Sequence, residues 1–279
     1  MKQEQEFLAP GTVFLGLAAA SQSRVFLQAG AGEGARFFLL QGLWTALALC
    51  LLSALLTTAF QAKGLFAGQS VLSQAGCGAF LLWFVSELAR TVFAAQQVCW
   101  SQFSSLAVLS ALPFLLWVGW TLPEHTFDRS ARVLWWLGGL SVVLCLAGLS
   151  GQLHWENLFA ESLSRPVAER QWELFPEYAA LSLLCSPRQW KKAVWMPLGA
   201  FAVQFGFCLG MSLLFGTQLG NALFGLELLR AGTLGAFSRF DAVFLLLWLA
   251  GMLFRICLLA RVVQLLWAKF QHVPREVDA

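Results

Sequence analysis

Residues 37–60 read FFLLQGLWTALALCLLSALLTTAF, a run without one charged side chain. A hydrocarbon core of ~30 Å takes ~20 helical residues to cross, and this run has that length. It is continuous rather than divided into alternating segments of ~10 residues, so it reads as a helix and not as a barrel strand. In lipid the backbone must satisfy its own hydrogen bonds, which a helix does within one segment. Working outward, similar runs lie at Gly76–Cys99, Phe103–Trp120, Ala131–Leu153, Ala193–Phe215 and Ala242–Leu266. Two shorter ones, Phe7–Ala20 and Phe175–Cys185, complete the series, the second flanked by Pro176 and Pro187. The pattern predicts an all-α polytopic membrane protein with about eight transmembrane segments in a single domain, 1–279.

Composition agrees. Hydrophobic residues make up 58% of the 279 positions and charged residues 12%, with a mean hydropathy of +0.69. Ordinary globular domains carry roughly twice that charged share. A net charge of +3 gives no nucleic-acid signal. The start, MKQEQEF, is mixed in charge and the first apolar run lacks a small-residue cleavage site, so that run is expected to stay as a membrane helix. Lys2, Lys63, Lys191, Lys192 and Lys269 share one side if the N-terminus is cytoplasmic. The positive-inside rule then puts both termini in the cytoplasm. Thirteen Trp against one Tyr, many at span ends, read as interfacial anchors.

The chemistry-bearing residues exclude several classes. Seven cysteines are scattered almost one per span with no CxxC pair, so they read as packing residues rather than a disulfide framework or zinc site. His125, His154 and His272 fall in loops or at helix ends, which supports no metal or haem. There is no HExxH, no Ser–His or Cys–His pair within the helices and no glycine-rich phosphate loop. The expectation is a non-enzyme with no cofactor and no metal.

What remains is the set of polar groups inside the spans. Glu87 and Arg90, in LLWFVSELARTVFAAQQ, stand i,i+3 on one helix face and can pair. A charge at the bilayer centre costs at least ~2.5–3.5 kcal/mol on insertion scales, so such residues face protein or a wet cavity. They serve either a ligand pathway or a structural ion pair. Arg239 and Asp241 open the last span, and Asp241 suits the positive end of the helix dipole. Arg255 lies fourteen residues beyond Asp241, placed either to snorkel towards the cytoplasm or to pair with an acid such as Glu87.

The first span is a candidate interrupted helix, with small residues Gly16, Ala18, Ala19 and Ala20 followed by SQSR. The Phe175–Cys185 piece, with Glu177 and Tyr178 at its entrance, is the second. As first and sixth spans they would occupy equivalent places in a five-plus-five inverted repeat, where broken helices bind substrate near the midplane. The connection 216–240, mixing glycines with Leu and Phe, reads as a short interfacial helix.

The order of elements resembles the B subunit of the spore germinant receptors, the spore permease family of the amino acid–polyamine–organocation superfamily. Arg239-Phe240-Asp241 with Phe244 and Trp248 is similar to that family's Arg-x-Glu opening of a late helix, with Asp for Glu. FDRSARVLWWLGGLSVVL, with Arg132, looks like the family's Arg-led fifth helix. HWENLFAES keeps Asn157 and Leu158 of the following Asn-Leu segment but not its proline, and FPEYAALSLLCSP resembles the sixth-helix segment. The resemblance implies a LeuT-type inverted-repeat architecture, with a first repeat at about 7–153 and a second at about 172–268, truncated after the eighth helix. It further implies a spore-germination subunit sensing a small nutrient, commonly an amino acid, in the spore inner membrane or cell membrane beside A-type and C-type receptor subunits. The ligand site would draw on Gly16, Ala18, Ala19, Ala20, Ser86, Glu87, Arg90, Glu177, Tyr178 and Asp241, with Arg239 and Arg255 as structural or coupling charges. The alternatives are a non-transporting scaffold subunit and a proton-coupled amino-acid permease with Glu87 as carrier.

Overall fold

The computed structural model describes residues 8–27, 35–63, 71–149, 151, 153–159, 174–184, 190–215 and 240–271. Among these there is no β-strand. The α-helices are α1 (Pro10–Leu27), α2 (Ala35–Lys63), α3 (Val71–Phe103), α4 (Ala107–Thr121), α5 (Glu124–Leu149), α6 (Phe175–Leu184), α7 (Trp190–Ala193), α8 (Met196–Phe215) and α9 (Phe240–Gln271). A 3₁₀ turn, Trp155–Phe159, precedes α6. Expectations for the 216–239 connection and for Arg239 lie outside the described residues.

Among the described residues, four helical stretches are long and apolar enough to cross a membrane: Leu39–Ala59, Gln74–Phe103, Lys191–Leu214 and Val243–Gln271. Eight crossings are expected from the sequence; by length and composition these helices supply four, or five if the pair α4 and α5 is one span. That pair bends by 118° between Ala107–Thr121 and Glu124–Ser141, the geometry of a broken span or a re-entrant loop. Length and charge explain why other helices fall short. The 15 residues of α4 extend only ~22 Å, and α5 begins with Glu124, Asp128, Arg129 and Arg132. At 10 residues, α6 is also too short to cross.

The last helix is the axis of the molecule. In its most apolar stretch 61% is buried, against 28–38% in the other candidate spans. It packs on α1, α3, α4 and α5. Against α3 it runs antiparallel, Gly78 beside Phe270 and Thr91 against Arg255. Close approach needs small residues. A Cβ on Gly119 of α4 would stand 2.5 Å from the Cys257 carbonyl oxygen, and one on Gly16 of α1 2.5 Å from Leu258. A second layer forms where α8 packs on α1 and α2, with Ala46 and Phe201 buried between α2 and α8.

The first helix corrects one expectation directly. It runs unbroken through Gly16–Ala20 to Leu27. Gly16, Ala18, Ala19 and Ala20 are buried, and Gly16 and Ala19 face Leu258 and Gly251 of α9. The small residues therefore bring two helices together rather than break one.

Polar groups within the helices are largely used locally. In α2 the Thr45 and Thr57 hydroxyls donate to the Gln41 and Ser53 carbonyls one turn back. Gln96 of α3 clamps the turn into α4: its amide donates to the Ser105 carbonyl at 2.7 Å and accepts from Leu109 N–H at 3.1 Å. The 3₁₀ turn caps α8, since His154 N–H and the Asn157 amide both donate to the Leu213 carbonyl. The C-terminal carbonyls of a helix have no partner within it, so these bonds satisfy one of them.

Candidate functional site

An arginine in the middle of an apolar helix must find its acceptors inside the protein. Arg255 stands near the centre of the α9 span, its side chain 3% exposed. Its five N–H donors meet five acceptors supplied by three other helices. Nε donates to Thr91 Oγ1 at 3.2 Å. Nη1 donates to the Gly16 carbonyl at 3.0 Å and to Glu177 Oε2 at 2.9 Å. Nη2 donates to Glu177 Oε1 at 2.7 Å and to Glu87 Oε2 at 3.5 Å. The Glu177 pairing is bidentate, the strongest form in which a guanidinium meets a carboxylate.

Each element brings its group for a local reason. On α3, Glu87 and Thr91 are one turn apart on the face that meets α9, and the Thr91 hydroxyl also donates to the Glu87 carbonyl at 2.7 Å. Arg90 leaves that face: its Nη1 donates back to Glu87 Oε1 at 2.8 Å while 61% of its side chain is exposed. Its guanidinium also lies 5.8 Å from the Trp83 ring centroid, within cation–π range. On α6, Pro176 and Glu177 sit in the first turn, where a proline is tolerated and a carboxylate is favoured by the helix dipole. Glu177 is fully buried and Tyr178 beside it is 3% exposed.

The four ionised groups sum to zero: Glu87 and Glu177 negative, Arg90 and Arg255 positive. In a low-dielectric interior that neutrality is what makes burial tolerable, because an isolated ion would face a penalty of several kcal/mol. Glu87 lies between the two arginines and so links the enclosed pair to the outer surface of the bundle. The chemistry available is recognition of opposite charges: a carboxylate can be held by Arg255 and an ammonium by Glu87 or Glu177. Among the described residues no group of three His, Cys, Asp or Glu side chains is placed to hold a metal ion.

Of the residues expected at a ligand site, the structure brings Gly16, Glu87 and Glu177 into one cluster around Arg255, itself expected as a structural or coupling charge. Arg90 is tied to it from outside. Ser86 points away, on the exposed side of α3, while Ala18, Ala19 and Ala20 serve the helix interface. Asp241 lies in the first turn of α9, and its side chain is outside the described set. The alternatives for Arg255 resolve to pairing rather than snorkelling, and the nearer partner is Glu177 instead of Glu87. Thr91 was not anticipated. The signal for it was present, because it follows Glu87 by four residues and so shares its helix face.

Comparison with family models, with curated proteins and with solved structures finds no match for this chain.

Proposed function

We propose that this chain is a membrane subunit that senses a small zwitterionic nutrient, an amino acid, at the Arg255 cluster. The observation that carries the proposal is the enclosed bidentate pair of Arg255 and Glu177, with Glu87 alongside. An amino acid offers one carboxylate and one ammonium group. If it enters between Arg255 and Glu177, one internal ion pair is exchanged for two ligand pairs, and the net charge of the buried site does not change. A singly charged ligand would leave the site unbalanced. Ligand entry therefore selects for a zwitterion on electrostatic grounds alone.

The same proposal includes the resemblance to the spore germinant receptor B subunit, with its nutrient-sensing role, a LeuT-type architecture, both termini cytoplasmic and A-type and C-type subunits as partners. The continuous first helix favours a sensor over a transporter, because it offers no unwound segment at Gly16–Ala20. A second reading, a non-transporting scaffold, draws on one observation: every N–H of Arg255 is already engaged, as in a permanent structural lock.

The test is thermal or denaturant stability of the purified protein against amino acids and against their amides and deaminated analogues. A ligand present at 100 times its Kd should add about 2.7 kcal/mol. Stabilisation by a zwitterion but not by either singly charged analogue, lost in Glu177→Gln, supports sensing. A flat response across the panel, with Glu177→Gln still folded, leaves the scaffold.

A further inference from the structure

The outer face of α3 carries polar side chains between apolar ones such as Leu82, Val85, Phe93 and Trp100. Ser86, Arg90, Phe93, Gln97 and Trp100 are all exposed and follow one another at intervals of four and three residues. That is the spacing of a heptad seam, the pattern by which one helix meets another along its length. Ala79 and Ala89 are exposed beside it, small enough for a neighbouring backbone to come close.

The outer face of α2 provides an internal control. There Leu40, Trp44, Leu47, Leu51 and Leu55 are exposed and apolar, and the exposed Thr58 hydroxyl donates to the Ala54 and Leu55 carbonyls of its own helix, as lipid requires. Arg90 falls beside the middle of the Gln74–Phe103 span, with about 15 Å of hydrocarbon on either side. Its guanidinium meets the Glu87 carboxylate at 2.8 Å through Nη1 while 61% of the side chain stays exposed, so N–H donors beyond that one bond remain. In hydrocarbon, outward-facing arginine and glutamine side chains need hydrogen-bond acceptors that lipid tails do not offer.

We infer that this face of α3 is the docking surface for a transmembrane helix of a different chain, one carrying uncharged acceptors, amide or hydroxyl, at the depths of Arg90 and Gln97. Uncharged groups fit because Arg90 already belongs to a cluster of zero net charge, which a partner carboxylate would upset. A second copy of this chain fits poorly. Two-fold pairing about the membrane normal would set parallel α3 helices side by side, with Arg90 facing Arg90 at one depth. Among the described residues the candidate spans hold no exposed acid to offset that repulsion.

The experiment uses the full chain in lipid nanodiscs or dilute vesicles and measures energy transfer to synthetic transmembrane peptides. The probes are leucine–alanine helices of about 20 residues. One carries two asparagines seven residues apart, matching Arg90 and Gln97; one carries the same two asparagines on opposite faces; one carries none. The matched peptide should bind about threefold to tenfold tighter than the other two, the range expected of interhelical hydrogen bonds in bilayers. Arg90→Leu should abolish that preference. Ala89→Phe, which leaves the ion cluster untouched and obstructs close approach, should do the same without changing thermal stability. Equal binding of the three peptides, or insensitivity to Ala89→Phe, would overturn the inference in favour of a lipid-covered face. Self-association of labelled chains that Ala89→Phe abolishes would overturn it in favour of a second copy.

Discussion

Arg255→Met puts the organisation of the core to its most direct test. Methionine keeps the apolar stem and roughly the length of arginine but removes all five donors. Glu177, fully buried, then loses both bonds of its bidentate pair, and Glu87 loses Arg255 while keeping Arg90. Removing one partner of a buried ion pair costs about 3–5 kcal/mol, because the other charge is left enclosed without compensation. The lower part of that range applies to Glu87 and the upper to Glu177. The Thr91 hydroxyl still donates to the Glu87 carbonyl, so its loss adds little. The paired substitution Glu177→Met with Arg255→Met removes one charge of each sign and leaves Glu87 with Arg90. Apolar replacements of whole buried pairs are often neutral or stabilising, so the double variant should recover most of the lost stability. Reversible unfolding in mixed micelles, followed by the fluorescence of the thirteen tryptophans, measures all four corners of the cycle: the parent chain, Arg255→Met, Glu177→Met and the double variant. A loss below about 1 kcal/mol in Arg255→Met, or simple additivity in the double variant, would refute the idea that this cluster holds α1, α3, α6 and α9 together.

Three further outcomes follow from the packing. Gly119→Ala should destabilise by about 1–3 kcal/mol, because its new Cβ meets the Cys257 backbone oxygen at 2.5 Å and the Ala260 Cβ at 2.9 Å; Gly16→Ala meets only the flexible end of Leu258 and should cost less, with Leu258→Ala relieving it in the same unfolding assay. Gln96→Leu deprives the Ser105 carbonyl and the Leu109 N–H of their partners; it should cost about 1–3 kcal/mol and raise amide exchange at the start of α4 before any other helix. Among the described cysteines, Cys50, Cys77, Cys99 and Cys257 are buried and free while Cys208 is half-buried, so a membrane-permeant maleimide should label Cys208 before these four, which should react at the rate of unfolding.

The sequence and the structure agree where the deciding physics is local. Helical character follows from uninterrupted apolar runs, and the pairing of Glu87 with Arg90 follows from three residues of spacing. Agreement ends where one local pattern has two physical uses. GLAAA at 16–20 suits an unwound helix or a close helix contact, and only the presence of Leu258 and Gly251 opposite decides for contact. The count of crossings is less legible for a related reason. Apolar composition reports that a segment is enclosed, in lipid or in protein, but the 118° bend between α4 and α5 depends on what each half packs against. Arg255 shows the limit most clearly. Its place in an apolar run leaves snorkelling and pairing both open, and the acids it meets lie far off, Glu177 78 positions away in sequence and Glu87 168. No periodicity ranks the two.

Charge parity connects the separate parts of the molecule. Within the Arg255 cluster two enclosed carboxylates face one enclosed guanidinium, and Arg90 supplies the second positive charge from the outer face of α3. Glu87 is therefore answerable to both sides of that helix: to Arg255 at 3.5 Å inside and to Arg90 at 2.8 Å outside. Anything that pulls Arg90 outward, such as an acceptor on a docked helix, weakens its hold on Glu87 and frees that carboxylate for Arg255. Strengthening Glu87 with Arg255 in turn loosens the claim of Glu177, the group a zwitterionic ligand would displace. Partner docking and ligand entry would then be coupled through one carboxylate, and linkage requires the effect to run both ways. The matched peptide should shift the apparent Kd of the ligand by the same factor by which the ligand shifts that of the peptide. In Glu87→Gln, which retains the shape and removes the shared charge, that factor should fall to about one; a coupling that survives Glu87→Gln would show that the two faces of α3 communicate by some route other than charge.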